Sequence, residues 1–248
     1  MRLLNRQLFL SAFLVISVFL SIGCSTTPKQ SRYHFISDTG RYELEYIGHE
    51  VENPAYFKAL VNDTEIFVSK DAVVPSIQSI FLLENTRINK GDVVLDIGTG
   101  SGIQAIFAAK KAKKIVATDI NPNSITSANF NAKYHGFENI IDVRLGDLFA
   151  PVKSNEKFDV IIYNIDYPYD VESNELWEVH ERFFAKVNKY LKQGGTVFYQ
   201  SGWIWNIPRI LEMIRSNGFM VERITMAAAK NHEREPIVFE LKYNVKQW

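Results

Sequence analysis

"VVLDIGTGSGIQAI", Val93 to Ile106, decides the fold. Its first five residues, Val93–Ile97, are apolar apart from Asp96 and read as a buried strand. Gly98-Thr99-Gly100-Ser101-Gly102 follows as a tight loop, and Ile103 to about Lys111 reads as a helix. Glycine lets a backbone turn sharply and approach a ligand with no side chain between them. Strand, glycine loop and helix together open a nucleotide-binding α/β unit. A dinucleotide loop wants glycine or alanine at the last position of G-x-G-x-x-G. Here that position is Ile103 and the third glycine comes one residue early, which argues against NAD.

Outward from this stretch, apolar strands alternate with amphipathic helices. Strands are expected at 93–97, 114–119, 141–145, 158–164 and 196–201, with two more near 220–225 and 237–243. Helices are expected at about 75–83, 103–111, 122–135, 176–191 and 207–216. The phrase Leu191-Lys192-Gln193-Gly194-Gly195 reads as a helix end with a glycine stop. Such alternation implies a doubly wound, Rossmann-like sheet of seven strands, with ligands at the carboxyl ends of the strands. Upstream, residues 35–73 alternate with period two: Tyr42, Leu44 and Tyr46, then Phe57, Ala59 and Val61, a turn at Asn62-Asp63, and Ile66 and Val68. That pattern predicts a small β-rich extension of one or two hairpins before a domain over 74–248.

The residues ending each strand carry the chemistry. Asp119 ends the second strand about 20 residues after the glycine loop, where a carboxylate can accept both ribose hydroxyl protons. Asn121-Pro122 start the next helix, the third strand runs into Gly146-Asp147-Leu148-Phe149, and the fourth ends near Asn164. In order and spacing, "VLDIGTGSG", "VATDINPNSI", "LGDLF" and "LKQGGTVF" resemble the successive motifs of class I S-adenosylmethionine-dependent methyltransferases. The resemblance spans about 71–243 and implies an antiparallel last strand and S-adenosylmethionine as cofactor. It implies that Gly98, Thr99, Gly100 and Gly102 line the methionine and ribose part, with Asp96 near the methionine ammonium. It further implies that Asp119 holds the ribose hydroxyls and that Asp147 meets the adenine amine. Leu148 or Ile120 would pack on the ring, and Asn164 would border the cofactor.

The fourth strand's exit reads Tyr163-Asn164-Ile165-Asp166-Tyr167-Pro168. The methyltransferase small domain branch, which this chain is similar to, has Asn-Pro-Pro-Tyr there and modifies amide and base nitrogens. Asn164 and Tyr167 match; Ile165 and Asp166 replace both prolines, so the resemblance does not by itself fix an amide or base acceptor. By the resemblance Asn164 and Tyr167 are catalytic. Asp166 is either a base or substrate anchor, or a solvated turn aspartate. Tyr169, Trp203, Trp205, His232 and Glu233 fall on the same edge. No spacing of metal ligands is present.

The chain's beginning points elsewhere. Arg2 and Arg6 precede an apolar run from Leu8 to Ile22, and Ser21-Ile22-Gly23 leads into Cys24, the single cysteine. Charged start, short apolar run and small residues at a cut make a secretory signal. The segment resembles the lipobox of bacterial lipoproteins, implying a signal peptide over 1–23, lipidation of Cys24 and a tether over 24–34. The expected place is then the bacterial cell envelope, membrane-anchored by lipid, or the cytoplasm where the signal is not used. Lys and Arg balance Asp and Glu at 28 each, so no strong nucleic-acid signal is present. Two functions follow: a methyltransferase with an unidentified protein, nucleic-acid or small-molecule acceptor, or a non-catalytic envelope lipoprotein keeping the fold as a binding module.

Overall fold

The computed structural model describes residues 32–36, 41–47, 56–166, 168, 174–227 and 236–244. The signal segment with Cys24, and Tyr167, Tyr169, His232 and Glu233, lie outside the described residues.

Four strands come first: β1 (Arg32–Ile36), β2 (Glu43–Ile47), β3 (Tyr56–Val61) and β4 (Thr64–Ser69). The helix α1 (Ile77–Asn85) leads into β5 (Val93–Ile97), α2 (Ile103–Ala109), β6 (Lys114–Asp119), α3 (Pro122–Tyr134) and β7 (Ile141–Leu145). Then come β8 (Phe158–Tyr163), α4 (Asn174–Val187), β9 (Leu191–Ser201), α5 (Ile207–Ser216), β10 (Phe219–Met226) and β11 (Ile237–Tyr243).

The large sheet runs β10-β11-β9-β8-β5-β6-β7, parallel from β9 to β7, with β11 antiparallel to both neighbours. This is the expected α/β fold with an antiparallel last strand. Both faces are covered, which is why these strands read as near-continuous apolar runs rather than alternating ones. Val94, Ile162 and Phe198 face α1, α2 and the N-terminal strands. Leu95, Ile161, Val197 and Tyr199 face Trp177, Phe183 and Phe184 of α4 and Ile210 and Ile214 of α5.

The small sheet, β1-β2-β3-β4, is antiparallel throughout. Leu44, Ala59, Val61, Ile66 and Val68 are buried in the same cluster as Ile80, Leu82 and Ile106, so the extension shares the main core. The free edge of β4 is met by side chains of α3. Asn131 accepts from the Phe67 N–H at 2.8 Å and donates to its carbonyl at 2.7 Å, and Ser127 Oγ accepts from the Ser69 N–H at 2.8 Å. An open edge is thereby satisfied.

One expectation fails at Leu191. The stretch to Gly195 is not a helix end but the first part of β9, and α4 stops at Val187. Phe158 pairs with Leu191 and Val160 with Thr196, so four residues of β9 bulge opposite Asp159 alone. Gly194 takes φ +75°, and a Cβ on Gly195 would lie 3.0 Å from the Asp159 carbonyl oxygen. The two glycines serve the bulge. Among the described residues no helix is long and apolar enough to cross a membrane.

Candidate active site

A cleft of about 490 Å³ opens at the carboxyl ends of β5, β6 and β8, where the strand order reverses. That is within the roughly 300–1,000 Å³ usual for small-molecule sites. Its walls are the glycine loop, Asp119-Ile120-Asn121, Gly146-Asp147-Leu148, Asn164-Ile165-Asp166 and the approach to α1.

The loop is tied to the end of β6. The Gly98 and Thr99 N–H groups both donate to the Thr118 carbonyl, at 2.9 and 3.0 Å. Gly100 donates from its N–H to Asp119 Oδ2 at 2.9 Å, and the Asn121 N–H donates to Oδ1 at 2.8 Å. An ionised carboxylate accepts about four hydrogen bonds, so Asp119 keeps capacity for two more. Gly98 and Gly100 sit at φ +73° and +55°, a region that favours glycine. Behind the loop, buried Asn131 donates to the Ser101 carbonyl at 2.7 Å and so couples it to β4.

Two residues expected at the cofactor stand elsewhere. Asp96 is fully buried beneath the loop, where its Oδ2 accepts from Thr99 Oγ1 at 2.6 Å and its Oδ1 has no hydrogen-bond partner among the described residues. Gly102, at φ +84°, faces α3, where a Cβ would lie 3.2 Å from Ala128 Cα and Cβ. Its glycine serves helix packing.

Asp147 lines the cleft but carries an ion pair with Arg182 of α4, which lines it too. Leu148 takes φ +48°, a strained conformation for a leucine, while its carbonyl accepts from Thr118 Oγ1 at 3.3 Å. Ile120 is 70% exposed at the rim. Asn164 and Asp166 reach the same cleft from β8. Trp203 and Trp205 stack on each other with centroids 4.6 Å apart, just after β9. Among the described residues no group of His, Cys, Asp or Glu is placed to hold a metal ion.

Two buried groups titrate in opposition. Burial pushes the Asp96 carboxyl up to about 7, and it pushes His180 on α4 down to about 4. Between pH 3.8 and 7 folded Asp96 keeps a proton the unfolded chain has lost, so its contribution to stability falls as pH rises. Between pH 4 and 6.5 the unfolded chain protonates His180 and the folded one does not, so that contribution rises with pH. From pH 4.5 to 6 each amounts to about 2 kcal/mol, at 1.4 kcal/mol per unit. Urea unfolding of Asp96→Asn should therefore gain stability with pH over this window, and that of His180→Gln should lose it. Parallel profiles in the two variants would refute this pairing.

The sequence of a family described as ribosomal protein L11 methyltransferase (PrmA) matches residues 76–230. The chain belongs to the PrmA methyltransferase family. A Methanocaldococcus jannaschii chain assigned as a protein N5-glutamine methyltransferase is 34% identical over 163 residues, 60% of this chain and 81% of that one. The ribosomal protein L11 methyltransferase of Alkaliphilus oremlandii is 36% identical over 136 residues, 54% of this chain and 39% of that one. The ribosomal protein L11 methylase crystal structure from Lactobacillus delbrueckii subsp. bulgaricus superposes with TM-score 0.57 at 25% identity, over 71% of this chain and 84% of that one. A tRNA m1G37 methyltransferase of M. jannaschii shares the fold, at TM-score 0.61 and 21% identity, over 79% of this chain and 59% of that one. The chain thus spans less than half of the A. oremlandii L11 enzyme.

The PrmA fold here is that of class I methyltransferases, whose cofactor is S-adenosylmethionine. The residues present fit it. At Gly100 the nearest atom to a Cβ position is the Val73 carbonyl oxygen, 3.7 Å away, so the loop backbone is open there, and the Asp119 carboxylate faces the cleft with free acceptor capacity. Sequence reasoning missed Arg182, Asn131 and His180. Only His180 had a local signal: it stands three residues after Trp177 and three before Phe183, on an apolar helix stripe.

Proposed function

We propose that this chain transfers a methyl group from S-adenosylmethionine to a nitrogen of a protein acceptor. The observation that carries the proposal is the Asp119 carboxylate, held by two backbone N–H groups at the mouth of the glycine loop within a PrmA-type cleft. Asp119 accepts the ribose hydroxyls, the Gly98–Gly100 backbone borders the methionine arm, and Ile120 and Leu148 offer apolar surface to the adenine ring. The cofactor supplies an activated methyl on a sulfonium, so the chain's task is positioning the nucleophile and taking up its proton. Asn164 and Asp166 stand where an acceptor nitrogen would enter, with Tyr167 next in sequence. The names of the relatives, protein glutamine and ribosomal protein L11 methyltransferases, support a protein acceptor.

Full-length protein incubated with methyl-labelled S-adenosylmethionine and purified ribosomal protein L11, or a glutamine-bearing peptide, should label one of them. Mass spectrometry would then locate the methyl. Cofactor binding with no transfer to any protein acceptor would overturn the proposal. That result would favour the second reading, a binding module, which draws support from the Arg182 ion pair occupying Asp147. We also propose that residues 1–34 direct export and lipid anchoring at Cys24, which fatty-acid labelling of cells tests directly.

A further inference from the structure

We propose that His180 and Asn206 are positioning residues that grip the chain at Asp166 and Pro168 and thereby fix the acceptor wall of the cleft. This rests on the transfer reaction proposed above. Strand β8 ends at Tyr163, and the Asn164 N–H still donates to the Ile97 carbonyl at 3.4 Å. Beyond it, the Asp166 and Pro168 carbonyls have left the sheet. Each is met by a buried side chain from a distant element: His180 Nε2 at 3.0 Å and Asn206 Nδ2 at 2.8 Å. Residue 167 lies between the two grips.

His180 is 0% exposed, with the rings of Tyr163, Tyr199 and Trp177 around it at 5.2, 5.6 and 6.2 Å. Packing alone asks for an apolar residue there, since a polar ring in such a cage is costly unless bonded. Both nitrogens are bonded, for Nδ1 lies 2.8 Å from the Tyr199 hydroxyl. A neutral imidazole has one donor and one acceptor nitrogen. The Asp166 carbonyl can only accept, so Nε2 carries the hydrogen and Tyr199 donates to Nδ1. The chain of bonds runs one way, from Tyr199 through His180 to the Asp166 carbonyl.

Asn206 tells the same story from the other side. It stands at the N-cap of α5, where asparagine ordinarily accepts from its own helix. It makes no cap hydrogen bond, and its amide goes instead to Pro168, 38 residues away. Just before the first grip the chain also meets the glycine loop, because Ile165 fills the space where a Gly98 Cβ would stand. Ile165 and Asp166 are thus held between the cofactor loop and the core under α4. A misplacement of about 1 Å in a reacting pair costs about 100-fold in rate, so such a grip bears directly on transfer.

The test uses full-length His180→Leu, which fits the cage without a donor, His180→Gln, which keeps one, and Asn206→Ala. Three quantities are measured: amide exchange of residues 164–170 by mass spectrometry, S-adenosylhomocysteine affinity by calorimetry, and kcat and KM for ribosomal protein L11. In His180→Leu and Asn206→Ala, exchange in the stretch should rise about 10-fold and kcat should fall at least about 10-fold. S-adenosylhomocysteine affinity should stay within about 3-fold, and His180→Gln should recover part of both losses. Native exchange together with native kcat in His180→Leu and Asn206→Ala would overturn the proposal. If the unaltered protein methylates nothing, the function reading fails while the exchange measurement still decides the grip.

Discussion

Asp119→Ala is expected to weaken S-adenosylmethionine binding by about 1,000-fold. Two effects add. On the cofactor reading proposed above, the substitution removes the acceptor for both ribose hydroxyls, and a hydrogen bond to a charged group contributes about 1.5–3 kcal/mol. It also leaves the Gly100 and Asn121 N–H groups, now held at 2.9 and 2.8 Å, to water. Because these groups are only part-buried, solvent replaces the carboxylate at small cost and the fold should survive. A loss of about 4 kcal/mol in binding corresponds to the stated factor, since each 1.4 kcal/mol is tenfold. Asp119→Asn does not restore the site, because its amide presents a donor where a backbone N–H already donates. Calorimetric titration of both variants with cofactor and product measures this. A folded Asp119→Ala protein binding within about 3-fold of the original would remove Asp119 from the site. Arg182→Ala is the useful contrast, since the exposed Arg182–Asp147 pair should shift affinity only slightly.

Local patterns were enough for the elements that build the sheet. Val93–Ile97, Lys114–Asp119, Ile141–Leu145 and Ile237–Tyr243 stand at the residues the apolar runs indicate. In each, composition and neighbouring turn residues agree with the tertiary demand, so nothing competes. Leu191–Gly195 is the counterexample. A glycine pair after a helix reads as a stop, but pairing of Leu191 with Phe158 across the sheet claims those residues for β9. The site shows the same division. Gly98, Gly100 and Asp119 act through backbone geometry that a short motif encodes. Arg182, Asn131, His180 and Asn206 act through partners 30 or more residues away or on another element, apart from His180, whose carbonyl partner is 14 residues off. Nothing in their immediate sequence says which carbonyl or carboxylate they meet. Asp96 and Gly102 fall between these cases. Their motif fixes where they stand, while burial and the contact with Ala128 decide what they face.

Gly98→Ala should cost about 2–5 kcal/mol of folding stability and lower cofactor affinity at the same time. The cost has two sources that a control can separate. At φ +73° an alanine is strained by about 1–2 kcal/mol whatever surrounds it. The new Cβ would also stand 2.5 Å from Ile165 Cγ1 and 3.3 Å from the Asn164 carbonyl oxygen, adding overpacking of about 1–3 kcal/mol. Gly91 offers the first source without the second, since it sits at φ +92° with nothing within 4 Å of a Cβ. Gly91→Ala should therefore lose only about 1–2 kcal/mol and leave binding unchanged. The excess in Gly98→Ala belongs to the contact between the cofactor loop and the acceptor wall. Adding Ile165→Ala removes the side-chain part of that contact, so the two changes should be non-additive by about 1–2 kcal/mol in the double-mutant cycle. Denaturant unfolding and product titration of the four proteins measure both arms. Equal losses in Gly98→Ala and Gly91→Ala would mean that the loop and the Asn164–Ile165 stretch do not press on each other. Recovery of affinity by Ile165→Ala would mean that they do, and that the cofactor side and the acceptor side of this methyltransferase are set against one another at a single glycine.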